Sequence, residues 1–275
     1  MRCHSKRISL TWKVRKDIVK RRIKSDKWRV KLDLPSIDLH THSVYSDGKN
    51  CIRDMIRQAE TNGLDAVAIT DHYHKIGNLS QYVNEIKEEA ENFSIRVLVG
   101  VEIHPIEDFT LPVVGKRTHG IDLILADPLG EASSHLNQLD KERILEYFAK
   151  MYKSICENPE VDIIAHPFNL GRFEEIRSFS DIDSWLLEHI IKEARKGGKF
   201  LEVMSGMSWW YPRSRVDLFT REYSAFIKEA LDGGVKFSIG SDAHCVHGVG
   251  NISWSRKVLW EAGATRNDII NVELY

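Results

Sequence analysis

Cysteine is scarce and scattered. The four in the chain, Cys3, Cys51, Cys156 and Cys245, include no CxxC spacing. That argues against a disulfide framework and a thiolate zinc site, and makes a reducing cytoplasm the expected setting. No apolar run approaches the roughly 18 residues a membrane helix needs, and the beginning of the sequence is too charged to hold the apolar segment of a secretory signal. Net charge is also nearly absent, with 39 Lys and Arg against 40 Asp and Glu. At 275 residues and 42% hydrophobic, the chain can fill a real core, which argues against a wholly disordered protein. Histidine, in contrast, is plentiful. Twelve copies of a side chain that binds metals and moves protons near neutral pH make their placement the first question.

The small net charge hides an uneven distribution. Residues 1–31 carry thirteen Lys and Arg against only Asp17 and Asp26, a net +11, which leaves −12 on the remainder. Trp12, Trp28, Ile8, Ile18 and Ile23 lie in the same stretch, so it reads as a partly structured basic extension, residues 1–35, ending at Pro35. Two roles fit it: an electrostatic arm for an anionic partner such as nucleic acid, or a solvated flank that docks on the acidic body.

From Ser36 onward, apolar runs alternate with amphipathic stretches. The runs are IDLHTH, DAVAITDH, IRVLVGVEIHP, IDLILAD, VDIIAHPF, KFLEVMSG and KFSIGSDAH. Between most of them lie helical patterns such as CIRDMIRQAETNG and KERILEYFAKMYKSICENP, several closed by Gly or Asn-Pro as helix C-termini are. Near-continuous apolar strands separated by helices indicate a parallel sheet covered by helices. Seven such units in about 240 residues exceed a small doubly wound sheet and suit a barrel. The expected architecture is therefore an α/β fold, a distorted (β/α)7 TIM-like barrel over residues 36–275.

Polar residues gather at the C-terminal ends of these strands: His40 and His42, Asp71 and His72, Glu102 and His104, His166, Glu202, and Asp242 with His244. In a barrel those ends converge on one face, where active sites form. In HTH and DAH the two polar residues are two apart, so on a strand they point the same way. Pairs from the first and last strands become neighbours when the barrel closes, which is a chelating arrangement for a divalent metal. A lone strand-end histidine is more often a hydrogen-bonded structural residue than a ligand, and Asp38 and Asp71 are equally suited to orienting neighbours. The combination decides, because imidazoles and carboxylates buried so close together desolvate at a cost unless cations pair them. His4, His135 and His189 have no such setting and read as structural or exposed.

HTHSVYSDG, AITDH, GVE, IIAHP and IGSDAH resemble, in order, the successive motifs of the PHP (polymerase and histidinol phosphatase) family. The resemblance runs from Ile37 to about Asn271 and omits the basic extension. It implies a (β/α)7 barrel, a centre of two or three divalent metals and hydrolysis of phosphate esters. Carried onto this sequence, it implies that His40, His42 and Asp242 hold a first metal. Glu102 would bridge it to a second, which His166 also holds, and His72, His244 and Asp47 would hold a third. The family usually supplies one more histidine between the GVE and HP motifs. His119 is the residue placed there, with His104 and Asp122 as its competitors. Relatives often have Glu-x-Asn on the sixth strand; here Glu202 matches and Met204 replaces the amide.

Imidazole and carboxylate donors without thiolate suit Zn²⁺, Mn²⁺ or Fe²⁺. Two metals about 3.5–4 Å apart can share a hydroxide at neutral pH, which would attack phosphorus in line with the leaving alkoxide while Asp242 or His244 passes a proton to the leaving oxygen. Arg172, Arg213 and Arg215 are the expected phosphate contacts, with Arg256 and His247 as further options. Trp209, Trp210 and Tyr211 would stack a ring of the substrate or cover the barrel mouth. The leading expectation is a metal-dependent phosphoesterase acting on a small phosphomonoester, such as a nucleotide or histidinol phosphate. Its competitors are an exonuclease that holds RNA or DNA ends with residues 1–31, and a non-catalytic scaffold subunit that keeps the barrel alone.

Overall fold

The computed structural model describes residues 33–107, 109–130 and 136–275. The basic segment 1–31, with the nucleic-acid role expected of it, lies outside the described residues, as do His4 and His135. Leu34–Tyr275 form one compact unit.

Seven strands pair in chain order, every pair parallel: β1 (Ile37–Asp38), β2 (Ala66–Ile69), β3 (Arg96–Ile103), β4 (Leu123–Ala126), β5 (Ile163–Ile164), β6 (Phe200–Met204) and β7 (Lys236–Gly240). The barrel closes through backbone hydrogen bonds between its first and last segments. Leu39 N donates to Ile239 O at 2.9 Å, His42 N to Ala243 O at 2.8 Å and Asp242 N to His40 O at 2.9 Å. This is the (β/α)7 TIM-like architecture expected from the strand and helix rhythm.

The helices are α1 (Ile52–Thr61), α2 (Leu79–Ala90), the single turn α3 (Lys116–His119), α4 (Lys141–Glu157), α5 (Ser184–Gly197), α6 (Val216–Asp232) and α7 (Ser253–Glu261). Each long one buries a stripe at helical spacing. In α1 it is Ile52, Met55, Ile56 and Ala59; in α4 it is Ile144, Leu145, Phe148, Met151, Tyr152, Ile155 and Cys156. The Asp140 and Asn78 side chains accept from the backbone N–H groups of Arg143 and Gln81, satisfying donors that a helix start leaves open. The short α7 was not among the stretches expected from the sequence, since only Ser255, Val258 and Leu259 are buried on it.

Two strands are much shorter than their apolar runs suggest. After Asp38 the β1 ladder gives way to side chains: Thr41 Oγ1 donates to Ala68 O at 2.7 Å, and Thr41 N donates to Thr70 Oγ1 at 3.0 Å. Hydroxyls thus replace ladder bonds where the chain must turn His40 and His42 inward. In β5 only Ile163–Ile164 precede the bend that presents His166. A third polar clamp is Tyr82 on α2, fully buried. Its hydroxyl lies 2.8 Å from Gly100 O and 3.0 Å from Ile69 O, and accepts from Asp71 N at 3.1 Å. It ties the helix to β2 and β3 just below the polar end. Tyr82→Phe should lower unfolding stability by about 1–3 kcal/mol, because it leaves buried backbone groups unpaired. Urea denaturation checks this, and an unchanged midpoint would contradict it.

Candidate metal centre

Every strand end contributes to one cluster, and Glu102 from β3 lies at its middle. Its Oε1 is 3.1 Å from His166 Nε2 and 3.5 Å from His40 Nε2. Its Oε2 is 2.8 Å from His72 Nδ1 and 3.7 Å from His42 Nε2. Asp242 Oδ1 lies 3.1 Å from His42 Nε2 and 3.5 Å from His40 Nε2. Asp47 Oδ1 is 3.3 Å from His244 Nε2, and its Oδ2 is 3.3 Å from His72 Nε2. These residues form three overlapping groups of ligand type, each with donor atoms within 4.8 Å of one another: His40, His42 and Asp242; His40, Glu102 and His166; and His42, Asp47, His72 and His244.

The donor set fits divalent cations on a direct observation. His40 Nε2, both ring nitrogens of His42, His72 Nδ1 and Glu102 Oε2 are buried and have no hydrogen-bond partner, although each lies close to other donors of the cluster. Buried polar atoms without partners are rare in a native fold. Cations shared within the three groups would give these atoms partners.

The electrostatics agree. Burial raises the pKa of Glu102, but His40 and the imidazoles of His166 and His72 outweigh it and hold the carboxyl well below the usual range. Asp242 is only partly buried, and His40 and His42 hold its carboxyl down. Burial pulls His40 and His166 the other way, towards neutrality. Glu202, Glu102 and Asp242 nevertheless raise His40, and Asp127 and Glu102 push His166 up to about 9. On His42 burial prevails and its pKa falls. Both shifts favour protons on His40 and His166 in the absence of metal, which offset part of the carboxylate charge.

A second layer fixes the ligands. Glu202 on β6 reaches His40 Nδ1 at 2.9 Å and accepts from His166 N at 2.7 Å. This leaves His40 Nε2 aimed at the cluster, as carboxylates behind metal-bound imidazoles do. Gly240 makes this contact feasible, since a Cβ there would come 2.0 Å from Glu202 Oε1. Asp71 accepts from Ser43 N, Ser43 Oγ and Ser46 Oγ, holding the loop that carries Asp47. Asp38 accepts from Ser241 N, Ser241 Oγ and Gly250 N, framing the loop of Asp242 and His244. His166 and Asp242 themselves adopt φ values of 26° and 57°, a conformation that costs of order 1–3 kcal/mol for a non-glycine residue and clusters at functional sites.

Eight of the residues expected from the sequence as ligands thus meet: His40, His42, Asp47, His72, Glu102, His166, Asp242 and His244. His119 does not. It ends the exposed turn α3, which leads into the N-terminal end of β4, the wrong end of the barrel. Asp122 accepts from Val99 N at 2.8 Å, also at the start of β4. His104 follows β3 and packs edge-on against His74, with ring centroids 4.2 Å apart. The residue beside His166 is Asp127, directly after β4, with Oδ1 3.7 Å from His166 Nδ1; burial lifts its pKa to about 6. The sequence held the signal, since IDLILAD ends in an acid just as neighbouring strands end in ligand types.

The arginines divide as well. Arg172 stacks on Trp210 with its guanidinium 4.2 Å from the ring centre, and that ring is 6.4 Å from the His166 ring. Arg213 is engaged by Glu174 and Arg215 by Asp217, both exposed. Arg256 donates to Leu34 O before β1, and His247 is exposed. Of the aromatic cluster, Tyr211 is buried with its hydroxyl donating to Phe168 O, whereas Trp209 is 78% exposed. His189 lies 2.9 Å from Ala149 O, between two helices. Among the described residues no helix is long and apolar enough to cross a membrane.

Comparison with known proteins adds four findings. The family model of the PHP domain matches residues 38–206. A probable phosphatase of Thermoanaerobacter sp. (strain X514) is 28% identical over 86% of this chain and 91% of its own length. The DNA polymerase/3'-5' exonuclease PolX of Bacillus subtilis (strain 168) is 33% identical over 75% of this chain but only 34% of the polymerase. Among solved structures, a histidinol phosphate phosphatase from Lactococcus lactis, complexed with zinc, L-histidinol and phosphate, superposes with a TM-score of 0.64 at 19% identity, covering 84% of this chain and 94% of that one.

Metal must displace the protons on His40 and His166, so its uptake at neutral pH should release protons, and its affinity should fall as the pH is lowered. Calorimetry in buffers of different ionisation enthalpy measures the release. His40→Ala and Asp242→Asn should each lose bound metal by elemental analysis. Retention of the full metal complement in both variants would refute the assignment.

Proposed function

Because the chain belongs to the PHP domain family, we propose that it is a metal-dependent phosphoesterase that hydrolyses a small phosphomonoester. The observation that carries this reading is Glu102, one carboxylate set between the imidazoles of His40, His42, His72 and His166. Divalent ions held there supply Lewis acidity, activating water and neutralising the charge that develops on a phosphoryl group.

The chain's own residues do the rest. His40, His42 and Asp242 hold one position; Glu102 and His166, with Asp127 beside them, hold the next; His72, His244 and Asp47 hold a third. Nitrogen and oxygen donors without thiolate suit Zn²⁺, Mn²⁺ or Fe²⁺. Arg172 makes no ion pair among the described residues and has its guanidinium carbon over the Trp210 ring. Its edge is a prepared donor for a phosphate oxygen, and planar guanidinium recognises phosphate in that way. Asp242 and His244 line the same end; Asp242, held ionised by His40 and His42, has no proton to give, which leaves His244 as the candidate to hand one to the leaving oxygen. The exposed Trp209 offers a surface for the organic part of the substrate. The relative named as a phosphatase matches over nearly its whole length, and the fold is shared with a protein crystallised with L-histidinol and phosphate; both support a monoester.

A second reading, an exonuclease working in from nucleic-acid ends, is favoured by the +11 charge of residues 1–31 and by the likeness to the exonuclease-bearing polymerase. A panel of phosphomonoesters, dinucleotides and short oligonucleotides, each with Mn²⁺ or Zn²⁺, separates the two. Monoester turnover with intact oligonucleotides is the expected result. Oligonucleotide cleavage that collapses when residues 1–31 are deleted, without monoester turnover, would replace the first reading by the second. Arg172→Ala should lower kcat/KM for the monoester about 10- to 100-fold, in line with the loss of a charge-assisted hydrogen bond, while leaving the bound metal unchanged.

A further inference from the structure

Of the three ligand groups, two have no lysine or arginine contact among the described residues, and the third does. Asp47, which joins His42, His72 and His244, also receives the ammonium of Lys75, with Nζ 3.1 Å from Oδ2. That same oxygen lies 3.3 Å from His72 Nε2. The lysine is placed by the turn that presents the ligand itself. It ends the short helical turn Tyr73–Lys75, and its backbone N–H donates to His72 O at 2.9 Å.

This third group is also the more open one. The side chains of Asp47 and His244 are 39% and 38% exposed, whereas those of His40 and Glu102 are 0% and 2% exposed. A divalent ion on Asp47 and an ammonium on the same carboxylate oxygen would repel each other at close range. Lys75 can yield, because its charge sits on a flexible four-carbon stem and the pair is exposed enough to be weak. We propose that Lys75 is an internal competitor for the third metal position: the centre holds two ions firmly and takes up a third only by displacing the ammonium from Asp47. The inference rests on the metal-dependent reading above and adds a device that sets how many ions are bound. The number of ions then follows the free metal concentration, and the lysine charge swings clear of Asp47 when the third arrives.

Native mass spectrometry and calorimetry with Mn²⁺ on the full chain test this directly, comparing the parent with Lys75→Met, Lys75→Gln and Lys75→Arg. The parent should show two tight steps and one weak step. Lys75→Met should tighten the weak step at least threefold without altering the tight ones, and Lys75→Arg should behave like the parent. Lys75→Gln keeps polarity and removes charge, so it should follow Met, and it replaces Met if that variant fails to fold. Three equally tight steps in the parent, or a third step that is unchanged or weaker in the uncharged variants, would overturn the role of Lys75 while leaving the metal centre intact. A parent that binds no Mn²⁺ or Zn²⁺ at all would instead overturn the metal-dependent reading.

Discussion

A fully buried carboxylate cannot sit among four imidazoles unless positive charge comes with it, and that constraint organises this end of the barrel. Glu102 is almost inaccessible and lies between His40, His42, His72 and His166. Taking such a charge out of water is expensive unless it is paired. Protons on His40 and His166 supply part of the pairing, as their raised pKa values indicate. His42 works against that solution, because burial drives it towards neutrality and its ring nitrogens lack partners. Divalent cations resolve the conflict better than protons do, since one ion can face several of these atoms together.

The scaffold spends much of its local structure on holding that arrangement. Hydroxyls of Thr41 and Thr70 stand in for strand hydrogen bonds, so the chain can bend without losing its register to β2. Asp38 and Asp71 are not themselves in the ligand groups; each gathers backbone N–H and hydroxyl donors from a loop that carries ligands. Glu202 orients His40 and fastens the strained backbone of His166. A ligand on this protein is thus seldom more than one hydrogen bond away from a residue whose task is to position it, which is the usual requirement for a precise site.

Most of this could be read from the sequence, and the misses have physical reasons. Period and glycine stops gave seven strand and helix units, because a barrel strand buried on both faces is a continuous apolar run. The strand-end chemistry was legible because the acids and histidines follow such runs directly: Glu102 in GVE, His166 in AHP, and Asp242 and His244 in SDAH. His119 misled because it precedes a strand, and linear spacing does not distinguish the N-terminal end of β4 from the C-terminal end of β3. Asp127 closes IDLILAD and lies beside His166, a position for which the family resemblance implies a histidine. The brevity of β1 and β5 was not legible at all; it comes from side-chain hydrogen bonds between segments distant in sequence. Lys75 carried no signal in the motif and acquires its interest only from its distance to Asp47.

The central claim is that Glu102 collects cations between β1, β3, β5 and β7. The most direct measurement is anomalous diffraction from crystals of the full chain soaked in Zn²⁺ or Mn²⁺, recorded on both sides of the metal absorption edge. The account predicts at least two anomalous peaks, one touching His40, His42 and Asp242 and another touching His166, with Glu102 coordinated to both at metal–ligand distances of about 2.0–2.2 Å. Peaks confined to the surface, with Glu102 still bonded only to imidazoles, would contradict it.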